Sequence, residues 1–230
     1  MVYKFGRDAL QFLLPTSCIL CSGSTLEGLC LCPGCLNDLP AITTSCSICA
    51  LPVGTPGICG QCLQQRPAFD AITSLFLYES TVSHLVQQLK YGHRFEVARL
   101  FATQLFELVQ PTDLQPDLLV SVPLHYARLR QRGYNQAWEI ARRLSKLSGI
   151  PASHDLCKRV RATPSQTGLT AKQRRHNLRD AFRVTGNVKG MHIAIIDDVM
   201  TTGSTLQAIA EVLKRNGAKR VTGLVVARAV

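Results

Sequence analysis

From residue 71 onward, apolar residues fall alternately in short continuous runs and at helical spacing. Residues 71–77 read as a strand. Residues 81–91 read as a helix with Val82, Leu85, Val86 and Leu89 on one face, and 95–109 as a second with Val97, Leu100, Phe101, Leu105 and Leu108. Residues 117–122 form a strand closed by Pro123, and 137–147 a helix that turns Ile140, Ala141 and Leu144 inward. Weaker strand signals lie at 156–160 and 181–184. Stronger ones lie at 192–197 and 220–227, with Leu206, Ile209, Ala210 and Leu213 at helical spacing between them. Strands alternating with helices predict a three-layer α/β domain with a mostly parallel sheet. The texture before residue 70 is different, which predicts a small module at 1–66 and the α/β domain at 67–230.

The most informative stretch is Ile193-Ala194-Ile195-Ile196-Asp197-Asp198-Val199-Met200-Thr201-Thr202-Gly203-Ser204-Thr205-Leu206. A buried strand ends in two carboxylates, and a small hydroxyl-rich loop then opens a helix. In an open α/β sheet the carboxyl end of a strand is where ligands bind. Backbone N–H groups and hydroxyls from Thr201 to Thr205 can wrap a phosphate, helped by the helix dipole. Asp197 and Asp198 accept hydrogen bonds and suit the paired hydroxyls of a ribose. The plain alternative is a strand–turn–helix with an acidic pair at an exposed end.

Nine of the ten cysteines lie between Cys18 and Cys62, eight of them in Cys-x-x-Cys pairs: Cys18/Cys21, Cys32/Cys35, Cys46/Cys49 and Cys59/Cys62. Two such pairs make a tetrahedral thiolate site, so two structural zinc ions are expected. The pairs repeat as two ribbons in sequence, which favours sequential sites over an interleaved arrangement. Cys30 is surplus. A disulfide framework would need an oxidising compartment, and nothing else suggests export. The apolar run within 1–14 is too short for a signal peptide and reads as an amphipathic helix. A cytoplasmic protein with no membrane span is expected.

The net charge of +11 is unevenly placed: residues 128–183 carry fourteen basic and three acidic side chains. Two four-thiolate zinc sites would lower the balance to about +7. The strand exit at Val122 and Pro123 is expected to expose N–H groups to an anion, with Arg128, Arg130 and Arg132 beside it for bidentate phosphate contacts. Residues 161–169 read as a mobile loop running into a basic helix with Lys172, Arg174, Arg175 and Arg179. Arg128, Arg130, Arg142, Arg143, Arg174 and Arg179 are candidates for neutralising nucleic-acid phosphates. Tyr134 and Trp138 could stack bases, although Trp138 near a helix start also suits a core.

The paired cysteines, then Arg132-Gly133-Tyr134-Asn135-Gln136, then Thr163-x-x-Gln166 with Arg175-x-Asn177, then Asp197-Asp198-Val199-x-Thr201-Thr202-Gly203-Ser204-Thr205, occur in that order over nearly the whole chain. That series resembles the ComF family of competence-associated proteins, and its last part resembles the phosphoribosyl-pyrophosphate (PRPP) loop of type I phosphoribosyltransferases. The resemblance implies a type I phosphoribosyltransferase-like fold preceded by a double zinc-ribbon module. It implies that Asp197 and Asp198 hold the ribose, Thr201, Thr202, Gly203, Ser204 and Thr205 the 5-phosphate, and the turn at Val122 and Pro123 the pyrophosphate. Residues 161–179 would close over the site, with Arg132, Gln166, Lys172 and Arg175 as anion contacts, and magnesium would arrive with PRPP. The implied role is DNA uptake in natural transformation, handling single-stranded DNA in the cytoplasm alongside uptake or recombination proteins. No hood for a nitrogenous acceptor stands out unless the zinc module supplies one. Two other functions therefore stay open: a phosphoribosyltransferase with an unknown acceptor, and a PRPP sensor without turnover. No residue is assigned a catalytic role.

Overall fold

Ile193, Ala194, Ile195 and Ile196 are all fully buried, as a strand covered on both faces must be. The structure, a computed structural model, describes residues 17–25, 29–110, 115–161 and 181–230. In chain order these contain α1 (Pro33–Asn37), α2 (Gly60–Gln64), β1 (Ala71–Leu77), α3 (Ser80–Tyr91), α4 (Phe95–Val109), β2 (Leu118–Ser121), α5 (Tyr126–Arg132), α6 (Gln136–Ser148), β3 (Ala152–Ser153), β4 (Cys157–Arg159), β5 (Phe182–Val184), β6 (His192–Met200), α7 (Ser204–Arg215) and β7 (Arg220–Arg228). Five strands form one parallel sheet in the order β1-β7-β6-β2-β3. Ile196 of β6 stands between Leu224 of β7 and Ser121 of β2.

Strand alternation separates two cores. Ile193, Ile195, Val221 and Val225 pack with Leu206, Ile209 and Leu213 of α7. Ala194, Ile196, Leu224 and Val226 pack with α3, α4 and α6 through Leu85, Leu89, Phe101 and Ile140. The zinc ribbons divide between these cores. Cys18, Cys30, Leu31 and Leu39 join the α3–α4–α6 side, whereas Cys46, Ile48, Cys49, Cys59 and Cys62 join the α7 side. Residues linking the ribbons lie along β1. Ala41 bridges Phe76 in antiparallel fashion, Ile42 donates its N–H to the Leu75 carbonyl, and Leu77 donates to the Pro40 carbonyl.

Two expected strands do not join the main sheet. β4 and β5 pair antiparallel with each other instead. The reason is local: Cys157 and Phe182 are buried while their neighbours Lys158 and Arg183 are exposed. One buried face suits a hairpin that covers a core, not a strand enclosed on both sides. The sheet's outer position goes to the two-residue β3. α5 also lacks a sequence signal, because none of its residues is buried. The helix expected at 1–14 and the loop beyond Arg161 lie outside the described residues. Among the described residues, no helix is long and apolar enough to cross a membrane.

Candidate functional site

Asp197 and Asp198 lie within β6, which runs on to Met200, and not in a loop after it. Successive strand residues point to opposite faces, yet the two carboxyl groups stay close enough to hydrogen-bond each other. Asp198 faces the α3–α6 side. Its Oδ1 accepts a hydrogen bond from Gln136 Nε2 at 3.1 Å, and its Oδ2 pairs with the ammonium of Lys90 in the last turn of α3. Asp197 accepts the N–H of Asp198 at 2.9 Å and borders a cavity of about 30 Å³ whose other walls are residues 199–206. Burial and the neighbouring Asp198 charge push the Asp197 carboxyl well above the usual carboxylate range. Burial acts on Asp198 in the same direction, but Lys90 and Gln136 outweigh it and hold that carboxyl below its ordinary value. Burial disfavours the Lys90 ammonium, and Asp198 more than restores it.

The turn after β6 is short because Gly203 adopts φ +75°, a conformation that costs glycine little. A Cβ at Gly203 would come within 2.6 Å of Met200 Cε. Thr202 Oγ1 and Ser204 Oγ lie 2.8 Å apart. α7 starts at Ser204 with no side chain capping it. Gln207 donates its N–H to the Gly203 carbonyl at 2.8 Å, so the N–H groups of Thr205 and Leu206 precede the helical ladder and have no acceptor within it. Unspent donors, hydroxyls and the positive end of a 12-residue helix meet at the cavity, an arrangement suited to a phosphate.

The eight paired cysteines form two clusters, Cys18/Cys21/Cys32/Cys35 and Cys46/Cys49/Cys59/Cys62, with the sulfurs of each within 4.8 Å of one another. The pairing is therefore sequential. Sγ atoms lie 3.7 Å apart in Cys21–Cys32 and 3.6 Å apart in Cys49–Cys59. A tetrahedral ion with Zn–S of about 2.3 Å needs edges near 3.8 Å, so the clusters fit zinc. The N–H groups of Gly23 and Cys59 point at the sulfurs of Cys21 and Cys46. Burial opposes ionisation of Cys18 and Cys46, yet backbone N–H bonds bring both thiols down to about 6. Both tetrads are sites for structural zinc; Cys30, buried and pushed up to about 11 by that burial, belongs to neither cluster.

A phosphoribosyl transferase domain profile matches residues 101–229, and a double zinc ribbon profile matches residues 9–63. The DNA utilization protein YhgH of Salmonella typhi is 40% identical over 197 residues, covering 83% of this chain and 87% of that protein. YhgH of Escherichia coli K12 is 38% identical over 209 residues (89% and 86%), and competence protein F of Haemophilus influenzae is 35% identical over 179 (74% and 78%). The chain belongs to the ComF family. Its fold is the phosphoribosyltransferase type, with two zinc ribbons ahead of it.

The 132–136 segment of this ComF-family chain has a separate use for each residue. Arg132 donates to Gln136 Oε1 and lies over the ring of Tyr91, 5.1 Å from its centroid. Gly133 ends α5 at φ +81°. Tyr134 donates its hydroxyl to the Leu89 carbonyl and stacks edgewise on Phe95 at 4.8 Å. Asn135 caps α6 by accepting from Ala137 N and donates to the Val122 carbonyl. Gln136 reaches Asp198. Tyr134 is therefore a packing residue and not a free stacking surface.

The strand exit at Val122 and Pro123 corrects an expectation. The Val122 N–H donates to the Ile196 carbonyl at 2.9 Å, and proline has no N–H, so neither backbone position can bind an anion as a donor. Neither residue borders the small cavity. Arg142 and Arg143 both bond Glu139, whereas α5 exposes Arg128 and Arg130. Gln166, Lys172, Arg174, Arg175 and Arg179 lie outside the described residues. The sequence pattern does not single out Lys90 or Gln136 as site residues. Strand alternation is the signal that could have found them, because it places Asp198 on the Ala194 and Ile196 face, toward α3 and α6.

Proposed function

We propose that this protein binds PRPP at the β6–turn–α7 junction and uses that site in a ComF-type role in DNA uptake, handling single-stranded DNA in the cytoplasm. The supporting observation is Asp197: a buried acidic side chain beside the cavity lined by residues 199–206, where the N–H groups of Thr205 and Leu206 have no acceptor in the helix. In this reading the turn takes the 5-phosphate and Asp197 accepts a ribose hydroxyl. Asp198, held ionised by Lys90, fixes the backbone from which Asp197 projects. Magnesium would arrive with the diphosphate and offset its charge. Arg132, Gln166, Lys172 and Arg175 are the proposed anion contacts for the diphosphate.

The DNA assignment draws on the names of relatives from Salmonella, Escherichia and Haemophilus and on the face around α5. Tyr126 and Tyr91 are 66% and 70% exposed, with Arg130 5.5 Å from the Tyr126 ring centroid. Arginines interleaved with exposed rings suit phosphates and stacked bases together. A second reading, PRPP sensing without turnover, is favoured by one continuous hydrogen-bonded path. Arg132 on the basic helix bonds Gln136, Gln136 bonds Asp198, and Asp198 pairs with Lys90, so the DNA-facing helix and the ligand site share a network.

Calorimetric titration of PRPP with magnesium into the zinc-loaded protein tests the proposal. Micromolar binding that Asp197→Asn abolishes is the expected result. Absence of binding to the intact protein removes the phosphoribosyl reading. Release of pyrophosphate on adding single-stranded DNA or free bases separates turnover from sensing.

A further inference from the structure

Arg228, the last residue of β7, is 5% exposed. Its Nε donates to the Cys49 carbonyl at 3.3 Å. One terminal nitrogen donates to the Met200 carbonyl at 3.3 Å and to the carbonyls of Thr201 and Ala229. A guanidinium carries five donors in a fixed planar fork, so it can hold carbonyls from separate segments in one geometry. A single buried cation therefore joins the backbone of a zinc ligand to the backbone of the turn after β6.

A cation taken out of water needs a counter-charge. Burial disfavours the Arg228 guanidinium, and the charges of Cys49, Cys59 and Cys62 act the other way. All three belong to the second tetrad. Four thiolates around one divalent ion carry a net charge of about −2, so the zinc-loaded site supplies what Arg228 requires.

The peptide geometry carries this hold across the turn. In a trans peptide the carbonyl and the N–H that follows it point in opposite directions, and no described peptide bond is cis. Carbonyls of Met200 and Thr201 that face Arg228 thus turn the N–H groups of Thr201 and Thr202 away from it. Both residues border the small cavity beside Asp197. A second tie runs from the segment that leaves the ribbon: the Ala68 N–H donates to Gln207 Oε1 in α7 at 2.8 Å. Phe69, Met200 and Leu206 share one core with the second tetrad, whereas the first tetrad lies with the other core.

We propose that Arg228 is a positioning residue for the phosphate turn, and that through it the second zinc and the turn's ligand tighten each other while the first zinc does not. The proposal rests on the PRPP reading of the turn for the identity of that ligand. Coupling between two binding sites is reciprocal. A zinc ion that improves PRPP binding must itself be held more tightly when PRPP is bound. The second ribbon is then part of the ligand site's control, and the first serves the fold alone.

The test uses the zinc-loaded full chain, PRPP with magnesium, and a chromogenic zinc chelator. Cys32→Ser and Cys59→Ser, each expected to remove one ion, assign the release phases to the two sites. Saturating PRPP should slow release from the second site by at least about fivefold, the lower end of measured couplings, and leave the first unchanged. Arg228→Lys keeps the charge but not the fork. It should retain two zinc ions, bind PRPP about tenfold more weakly and lose the effect of PRPP on zinc release. A general loss of stability would weaken binding without uncoupling the metal, so the uncoupling is the signature. Hydrogen exchange at residues 201–203, read without PRPP, should rise in Arg228→Lys and Cys59→Ser and not in Cys32→Ser.

PRPP binding that alters neither zinc phase, or both equally, overturns the proposal and leaves the phosphoribosyl reading intact. Coupling that survives in a folded Arg228→Lys overturns the assignment to Arg228. The release kinetics of the native chain decide the coupling even where Arg228→Lys does not fold. In a protein that ignores PRPP, the exchange data decide. A loosened turn in Arg228→Lys and Cys59→Ser keeps the tie to the second zinc and removes the ligand reading, whereas an unaltered turn overturns both.

Discussion

Lys90 in the last turn of α3 closes an ion pair on Asp198 in the central strand, across the boundary between helix layer and sheet. Both partners are well covered, with side-chain exposures of 21% and 4%. Removing either one strands a buried charge, which typically costs about 3–5 kcal/mol. Lys90→Met and Asp198→Asn are each expected to lower stability by about 3 kcal/mol in urea denaturation, and the double variant to recover most of the loss. The depressed Asp198 carboxyl stabilises the fold above its ordinary 3.8. That contribution is lost as pH falls through the lower folded value. Additive losses in the double variant would sink the pairing.

Asp197 has the opposite sign. Its carboxyl is raised by burial and by Asp198, so the folded state holds its proton more tightly than the unfolded chain does. The resulting destabilisation builds as pH rises from about 3.8 toward the folded value and persists above it. Asp197→Asn is therefore expected to raise Tm at pH 7, to leave it nearly unchanged near pH 3, and to remove PRPP binding. Thermal melts at the two pH values check the first pair of outcomes. A lower Tm at pH 7 would refute the sign.

Gly203→Ala introduces a Cβ 2.6 Å from Met200 Cε at a positive φ. A loss of about 1–3 kcal/mol is expected, together with at least tenfold weaker PRPP binding as the turn shifts. Gly34→Ala, where a Cβ meets nothing within 4 Å, is the control and should bind PRPP normally.

The ribbons sit in different cores, so their metals are expected to protect different faces. Cys59→Ser should increase hydrogen exchange in α7 and the 201–203 turn, whereas Cys32→Ser should act on α3 and α4. Metal analysis should give two zinc ions in the native chain and about one in each variant. Uniform loss of protection in both variants would show that the faces unfold together.

For single-stranded DNA, Arg128→Glu and Arg130→Glu should each reduce the slope of log K against log salt, by about 0.7 for every phosphate no longer neutralised. Arg142→Glu and Arg143→Glu should leave the slope nearly unchanged and instead destabilise α6, where Glu139 engages both arginines. Equal slopes for all four variants would place the DNA elsewhere.

The parts of the fold legible in sequence are those with a two-sided burial requirement. β6 and β7 are apolar with little interruption because both faces are covered, and α3, α4 and α6 show their stripes because each packs one face on the sheet. The zinc sites are legible for a different reason: two-residue cysteine spacing has few other uses. α5 is not legible because it buries nothing, and β3 because two residues carry no period. The acidic pair is plain in the sequence, but its division of labour is not. That division depends on which helix stands over each face, and Lys90 looks on paper like a basic residue suited to any helix carboxyl end.

The pairing of residues 40–42 along β1 has a consequence for assembly. An open strand edge invites a second chain to add to the sheet, and here the segment between the ribbons already occupies that margin. The opposite margin, β3, is two residues long and offers little to extend. Sheet-to-sheet addition at these margins is thus disfavoured while the ribbons are in place. Detaching them would uncover a seven-residue strand rich in apolar side chains, turning loss of zinc into a route to aggregation.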